Sequence, residues 1–483
     1  MQTGRAHGAL PEHAPSRWRD PPRRRARPRP PAARPQPLVD ASRHRPARLG
    51  PATEGPRPSR EAVALYRGLA EREPDRHTAD LANSLSNLGQ CLTNAGELRE
   101  GVDAVREAAS LQGSIAQRDP GRYAADHASY LLNLGGGLLT VGEPRQALGP
   151  LRMAVVLGRI LAKHEPARFT PDLARSLGNL GTALREVGKP REGLIAVGQS
   201  VALFRGLAEL EPDRYLPGLA RSLLSQSEFL WVLDRPDEAL GPVQEAVTSF
   251  RQLASREPAR YLPELAHSVL NLGVMLQANH KMVDALVAGR EAVNLFRLLV
   301  ERVSTQHAVG LADALNNLGS DLLNVGHPRE AHVALQESVT LFRRLVEHEP
   351  APYAAKFAHA LGNFGHSLWA TDQQSEALAA LRDALARFRL LARNEPSRYT
   401  RDLVRWLHNC SVILLKAGMR QEALRYAGEA AARWRNLAQR EPGRHDEQYR
   451  SARANLARFC AENGFEPGDA LSAELHASQE LDP

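Results

Sequence analysis

The chain has 483 residues, 43% hydrophobic and 5% aromatic, with 62 Lys and Arg against 55 Asp and Glu for a formal net charge of +7. That charge is lopsided: residues 1–57 hold thirteen Arg, no Lys and four acids, a net of +9, so the remainder sums to −2. The basic balance therefore gives no argument for nucleic-acid recognition by the body of the chain, and no apolar run near 18 residues points to secretion or a membrane span.

In chain order, residues 1–57 carry twelve Pro and few large apolar side chains, a composition that cannot bury enough surface to offset chain entropy, and they are expected to be disordered. From there a tetrapeptide, Pro-x-Arg followed by an aromatic or His, recurs every 46 residues. Its copies start at Pro74, Pro120, Pro166, Pro212, Pro258, Pro396 and Pro442, with worn copies at Ser304 to His307 and Pro350 to Tyr353. Nine registers without an insertion predict units that stack on like neighbours, because a solenoid tolerates insertions poorly where a globular loop would not.

Within one unit the apolar residues Leu173, Leu177, Leu180, Leu184 and Val187 step by four and three, which predicts a helix over about 169–187. Gly188 then stops the helix and Pro190 opens the next, where Leu194, Val197, Val201, Phe204 and Ala208 repeat the spacing. The register predicts an opening helix near 58–72, eight helix pairs from about 76 to 440, a closing helix near 444–463 and a weakly structured tail over 464–483. An aromatic column, Tyr66, Phe204, Phe250, Phe296, Phe342, Phe388 and Trp434, anchors the second helices. Gln112 and Gly158 interrupt it, which predicts looser packing there.

Asn-Leu-Gly in the first helix and Glu-Ala-Leu in the second follow the order of small and large positions in tetratricopeptide repeats. Asn133-Leu134-Gly135, Leu138, Ala147, Leu151 and Ala154 show that order best. The chain resembles that family over 58–463, and its long helices look most like the kinesin-light-chain-type subgroup. The resemblance implies an all-α, right-handed α-solenoid of stacked helix-turn-helix repeats whose first helices line a concave groove that receives a peptide or partner helix. It disfavours the two-carboxylate clamp of the chaperone adaptors, because no lysine stands among the residues preceding the repeated Asn.

The sharpest candidate site is an asparagine column: Asn87, Asn133, Asn179, Asn271, Asn317, Asn363, Asn409 and Asn455, broken only by Ser225. A carboxamide offers a donor and an acceptor together, so a spaced row can pair with an extended peptide backbone without reading its side chains. The same row could equally bond between neighbouring helices and fix their stacking. Trp231 and Trp369 share one register three repeats apart and are candidate partner anchors, or else pack on an adjoining helix. One turn before the column stand Arg175, Arg221, His267, Asp313, His359 and Arg405, a mixed face that suits an acidic ligand or simply water. The tetrapeptide Arg and the acid before it, such as Arg214 and Glu211, are expected to pair locally at the corners.

No P-loop, His-Glu-x-x-His or Gly-x-Ser-x-Gly motif is present, so no enzyme, metal or cofactor is expected. Cys91, Cys410 and Cys460 are odd in number and far apart, which suits buried thiols in a reducing, cytoplasmic setting. The leading reading is a scaffold that binds a peptide or protein segment in its groove, with no membrane role and no nucleic acid beyond non-specific attachment of residues 1–57. Its rival is a regulatory sensor acting on a separately encoded ATPase, protease or transcription factor.

Overall fold

The computed structural model of the chain describes residues 56–302, 305–443 and 445–481, all within one unit spanning residues 54–483. The segment expected to be disordered lies outside the described residues up to residue 55, as do Ser304 and Arg444.

An opening helix, α1 (Pro56–Arg72), precedes eight pairs. They are α2 (Pro74–Asn94) with α3 (Leu98–Arg118), α4 (Pro120–Thr140) with α5 (Pro144–His164), α6 (Pro166–Glu186) with α7 (Pro190–Leu210), and α8 (Pro212–Val232) with α9 (Pro236–Arg256). Next come α10 (Pro258–Ala278) with α11 (Met282–Arg302), α12 (Ala308–Asn324) with α13 (Pro328–His348), α14 (Pro350–Ala370) with α15 (Gln374–Asn394), and α16 (Pro396–Lys416) with α17 (Arg420–Arg440). Then follow α18 (Asp446–Glu462) and α19 (Pro467–Leu481). Each helix packs on its predecessor and successor, as an α-solenoid requires, and first helices also touch across units at α4 with α6, α6 with α8, α10 with α12 and α12 with α14. That closer spacing places the first helices on the inner side of the stack.

The turn inside each pair follows one plan. The N–H of Glu97 reaches back to the Leu92 carbonyl at 2.9 Å, and Glu143 to Leu138, Lys189 to Leu184 and His327 to Leu322 do the same. This closure needs a left-handed residue just past the helix. Gly96, Gly142, Gly188, Gly326 and Gly418 supply it, whereas Asp234, His280 and Asp372 adopt positive φ (59°, 57° and 63°) without being glycine.

Packing inside a pair depends on the Asn-Leu-Gly glycine. A Cβ on Gly135 would lie 2.4 Å from Leu151, and on Gly181 2.4 Å from Val197, so hydrogen at these positions is what lets the two helices approach. Phe250, Phe296, Phe342 and Phe388 are fully buried. The looseness expected at the interrupted column is not seen: Gln112 is buried with its amide donating to the Tyr123 carbonyl, and Leu173 fills the space over Gly158.

The C-terminal segment corrects a second expectation. Instead of a weakly structured tail, α19 packs against α17 so closely that a Cβ on Gly428 would meet the Ala473 backbone at 2.7 Å. Ala470, Ala473 and Ala477 supply the small contact face, and the buried Glu474 accepts from Tyr449 Oη at 2.7 Å. The sequence signal was weak because alanines, rather than leucines, carry this contact.

Candidate functional site

The Arg and Glu of the corners between units pair locally, as expected. Arg76, Arg168, Arg214 and Arg260 each lie 3.4 Å from the preceding Glu73, Glu165, Glu211 and Glu257, and Arg398 lies 3.1 Å from Glu395. Most of these guanidinium groups also cover the adjacent ring, Arg214 over Tyr215 at 5.0 Å for example. A second ladder, on the second helices, was not read from the sequence. Arg205 pairs with Glu245 at 2.7 Å, Arg251 with Glu291 at 2.6 Å and Arg389 with Glu429 at 2.6 Å, each linking neighbouring units. Both partners recur at the 46-residue period, so their common register was the available signal. Arg205 belongs to α7, the one described helix long and apolar enough to cross a membrane.

The first helices line two clefts. The N-terminal one, about 980 Å³, is built from α2, α4, α6 and α8 with the start of α10, and Asn87, Asn133, Asn179 and Ser225 all face it. Small residues hold it open: Gly136, Gly178 and Ser200 stand where larger side chains would fill the space. The side chains of Asn87, Asn133 and Asn179 have no hydrogen-bond partner among the described residues, and Asn87 and Asn133 are exposed. Three consecutive units thus present carboxamides with both donor and acceptor unused.

The C-terminal cleft, about 530 Å³, gathers Asn317, Asn363 and Asn409 with Asp313, Lys356, His359, His366, Arg405 and Trp406. Here most polar groups engage one another. Asn363 Nδ2 donates to Asn316 Oδ1 at 3.0 Å, Lys356 Nζ to Asp313 at 2.6 Å, and the buried indole Nε1 of Trp406 to His359 Nδ1 at 3.0 Å. Asn317 and Asn409 line this cleft without such a partner among the described residues. Behind it the buried Asp321 accepts from Gln277 Nε2 at 2.6 Å, and burial still raises its pKa to about 6. Burial likewise lowers His366 to about 4, keeping it neutral near pH 7.

The column is therefore not uniform. Asn271 lines neither cleft and donates to Glu228 Oε1 at 3.2 Å, while Glu228 also takes Arg185 at 2.8 Å; Asn455 accepts from Arg458. Trp231 and Trp369 line neither cleft. Trp231, near the end of α8, is 44% exposed, whereas Trp369 packs against the C-terminal core. The face one turn before the column is mostly self-paired. Arg175 holds Asp172 at 2.7 Å, His267 bonds the Pro263 carbonyl, and Arg405 reaches Asp402 at 3.1 Å. Among the described residues no cluster of His, Cys, Asp and Glu is placed to hold a metal ion.

Residues 311–350, which cover most of α12, all of α13 and the first residue of α14, match the tetratricopeptide repeat family. The other units keep that unit's 46-residue period and helix-turn-helix form, so the described residues form an α-solenoid of repeated helix pairs, one of which matches this family. No curated protein sequence matches the chain. Among solved structures, the nearly identical repeats assigned to a Podosopora anserina kinesin light chain are 17% identical, covering 46% of this chain and 98% of that one with a TM-score of 0.36. The quorum sensor NprR from B. thuringiensis, in its apo form, is 15% identical over 80% of this chain and 99% of its own, with a TM-score of 0.42. BtubC from P. vanneervenii is 17% identical over 52% and 92%, with a TM-score of 0.42. At these identities the likeness concerns the fold alone.

Proposed function

We propose that the protein captures an extended peptide or protein segment in its N-terminal cleft, with Asn87, Asn133 and Asn179 pairing to the segment's backbone. The observation that carries this reading is the row of three unpartnered carboxamides from successive units, facing an open cleft of about 980 Å³. An amide side chain pairs with a peptide unit through one N–H and one C=O, so evenly placed amides give affinity without demanding a sequence. The cleft would serve a scaffold and a sensor alike, since both begin with capture of a segment. The buried cysteines Cys91, Cys410 and Cys460 form no disulfide with one another, which fits a reducing compartment.

The test is selection of random octapeptides on the immobilised full chain, repeated with Asn87→Ala, Asn133→Ala and Asn179→Ala combined. The reading expects peptides retained by the unmodified chain and lost by the triple variant, with circular dichroism and melting temperature unchanged. Equal retention by both proteins would refute it.

A further inference from the structure

We propose that the protein pairs with a second copy of itself through α1, the uncovered faces of the two helices packing antiparallel about a two-fold axis. This stands apart from the peptide reading. Because α2 both packs on α1 and lines the N-terminal cleft, the pairing sets two such clefts beside one seam.

A second helix in this array lies between two first helices, as α3 does between α2 and α4, and α7 between α6 and α8. α1 stands at the second-helix register, yet among the described residues only α2 packs closely on it. The face left over is apolar: Leu65 is 70% exposed and Leu69 41%. At the same registers in later units, Leu111 and Leu203, and Leu207 and Leu299, are partly or fully covered. The chain ahead of α1 offers no helix of the missing kind. The 46-residue register puts it at 28–48, where Pro35 and Pro37 fall at interior positions and each removes a backbone donor.

Two charges on α1 lack the partners their registers have elsewhere. Acids at the register of Glu61 take an Arg from the preceding second helix, Glu107 from Arg67 and Glu245 from Arg205. Cations at the register of Arg72 take an Asp from the preceding first helix, Arg118 from Asp75 and Arg256 from Asp213. For Glu61 and Arg72 the equivalent positions are Pro21 and Arg29, which cannot pair with them. Glu61 keeps only the exposed Arg57 at 3.5 Å, and Arg72 has no ion pair among the described residues. Glu61, Ala64, Leu65, Gly68, Leu69 and Arg72 follow one helical stripe. A two-fold axis between residues 66 and 67 sets Leu65 opposite the partner's Gly68, Leu69 opposite the partner's Ala64 and Glu61 opposite the partner's Arg72, each contact made twice. Open space where a Gly68 Cβ would stand leaves room for the leucine. The other end of the array does not match this stripe. α18 exposes Arg450, Arg453 and Arg458, and α19 exposes Leu471 and Leu475 but carries no Lys or Arg to meet Glu61.

One helix face makes a small interface, so the dimer is a weak one, with Kd of about 1–100 μM. Sedimentation velocity of the full chain over a concentration series spanning that range reads the equilibrium. Four variants accompany it: Leu65→Glu with Leu69→Glu, Glu61→Arg, Arg72→Glu, and the exchange that carries both charge changes. The unmodified chain should dimerise. The leucine variant should stay monomeric with unchanged helical circular dichroism, since both side chains are exposed. Each single charge change should weaken the dimer at least tenfold by setting like charges together, and the exchange should restore it to within threefold. That recovery requires Glu61 and Arg72 to meet across the axis, which no contact with another surface would reproduce. A monomer at every concentration, a leucine variant that dimerises as before, or an exchange no better than its single changes would each overturn the proposal.

Discussion

The two clefts are built from the same repeat, yet one is open and the other is largely self-satisfied. In the N-terminal cleft Asn179 lies against Gly136, and neither it nor Asn133 has a hydrogen-bond partner among the described residues. In the C-terminal cleft Asn363 bonds Asn316, and the ring of Trp406 sits on Gly362, the register equivalent of Gly178. The residue at a register position does not decide its role; what the next unit places opposite it does. A carboxamide facing glycine and serine is available to a ligand, and one facing another amide stabilises the stack.

The comparison breaks most sharply at those equivalent glycines. A Cβ on Gly362 would lie 2.3 Å from the Trp406 ring, whereas one on Gly178 would make an ordinary contact, 3.5 Å from Ser200 Oγ. Gly362→Ala should therefore cost about 1–3 kcal/mol through overpacking against a buried indole. Gly178→Ala should gain up to about 1 kcal/mol from helix propensity. Denaturant titration of both variants checks the pair, and equal effects would contradict the assigned packing.

Proton binding tests the packing behind the C-terminal cleft. Asp321 has a folded pKa near 6, above the usual value for an Asp in an unfolded chain, so the folded state binds the proton more tightly. The resulting stability is complete below about pH 4 and lost as pH rises through 6. Asp321→Asn should remove that slope, raising the melting temperature relative to the parent at pH 7.5 but not at pH 4.5. Parallel melting curves at the two pH values would show that the buried carboxyl is not the source.

Much of the fold was legible because a fixed period converts single residues into columns. Gly188 with Pro190, the stepped leucines and the Arg-Glu corners repeat often enough to fix the helix pairs. The column was legible as a row of asparagines but not as two kinds of asparagine. That distinction depends on Glu228 opposite Asn271 and Asn316 opposite Asn363, partners 43 and 47 residues away. The alanine face of α19 was hidden for a similar reason, since small residues carry little apolar signal, and the shared register of Trp231 and Trp369 left open which of them packs on the core.

Two smaller effects sharpen the contrast. Asn363→Ala should cost about 1 kcal/mol by deleting its bond to Asn316, and Asn133→Ala should leave stability within error, as read by thermal melts. Among the turns, His280 holds φ of 57° where most units use glycine. His280→Gly should gain about 0.5–1 kcal/mol, and Asp234→Gly less, because Asp tolerates the left-handed region better. Destabilisation by His280→Gly would mean its side chain contributes more than its backbone costs.

The central claim is that the asparagines of the N-terminal cleft hold a ligand, whereas Asn271 and Asn363 hold the protein. Isothermal titration of one library-selected peptide tests this directly on two variants: Asn87, Asn133 and Asn179 changed to Ala together, and Asn271 with Asn363 changed to Ala. The account predicts at least tenfold weaker binding with an unchanged melting temperature for the first, and binding within twofold but a lower melting temperature for the second. Weaker binding only in the second variant, or an early melt only in the first, would contradict it.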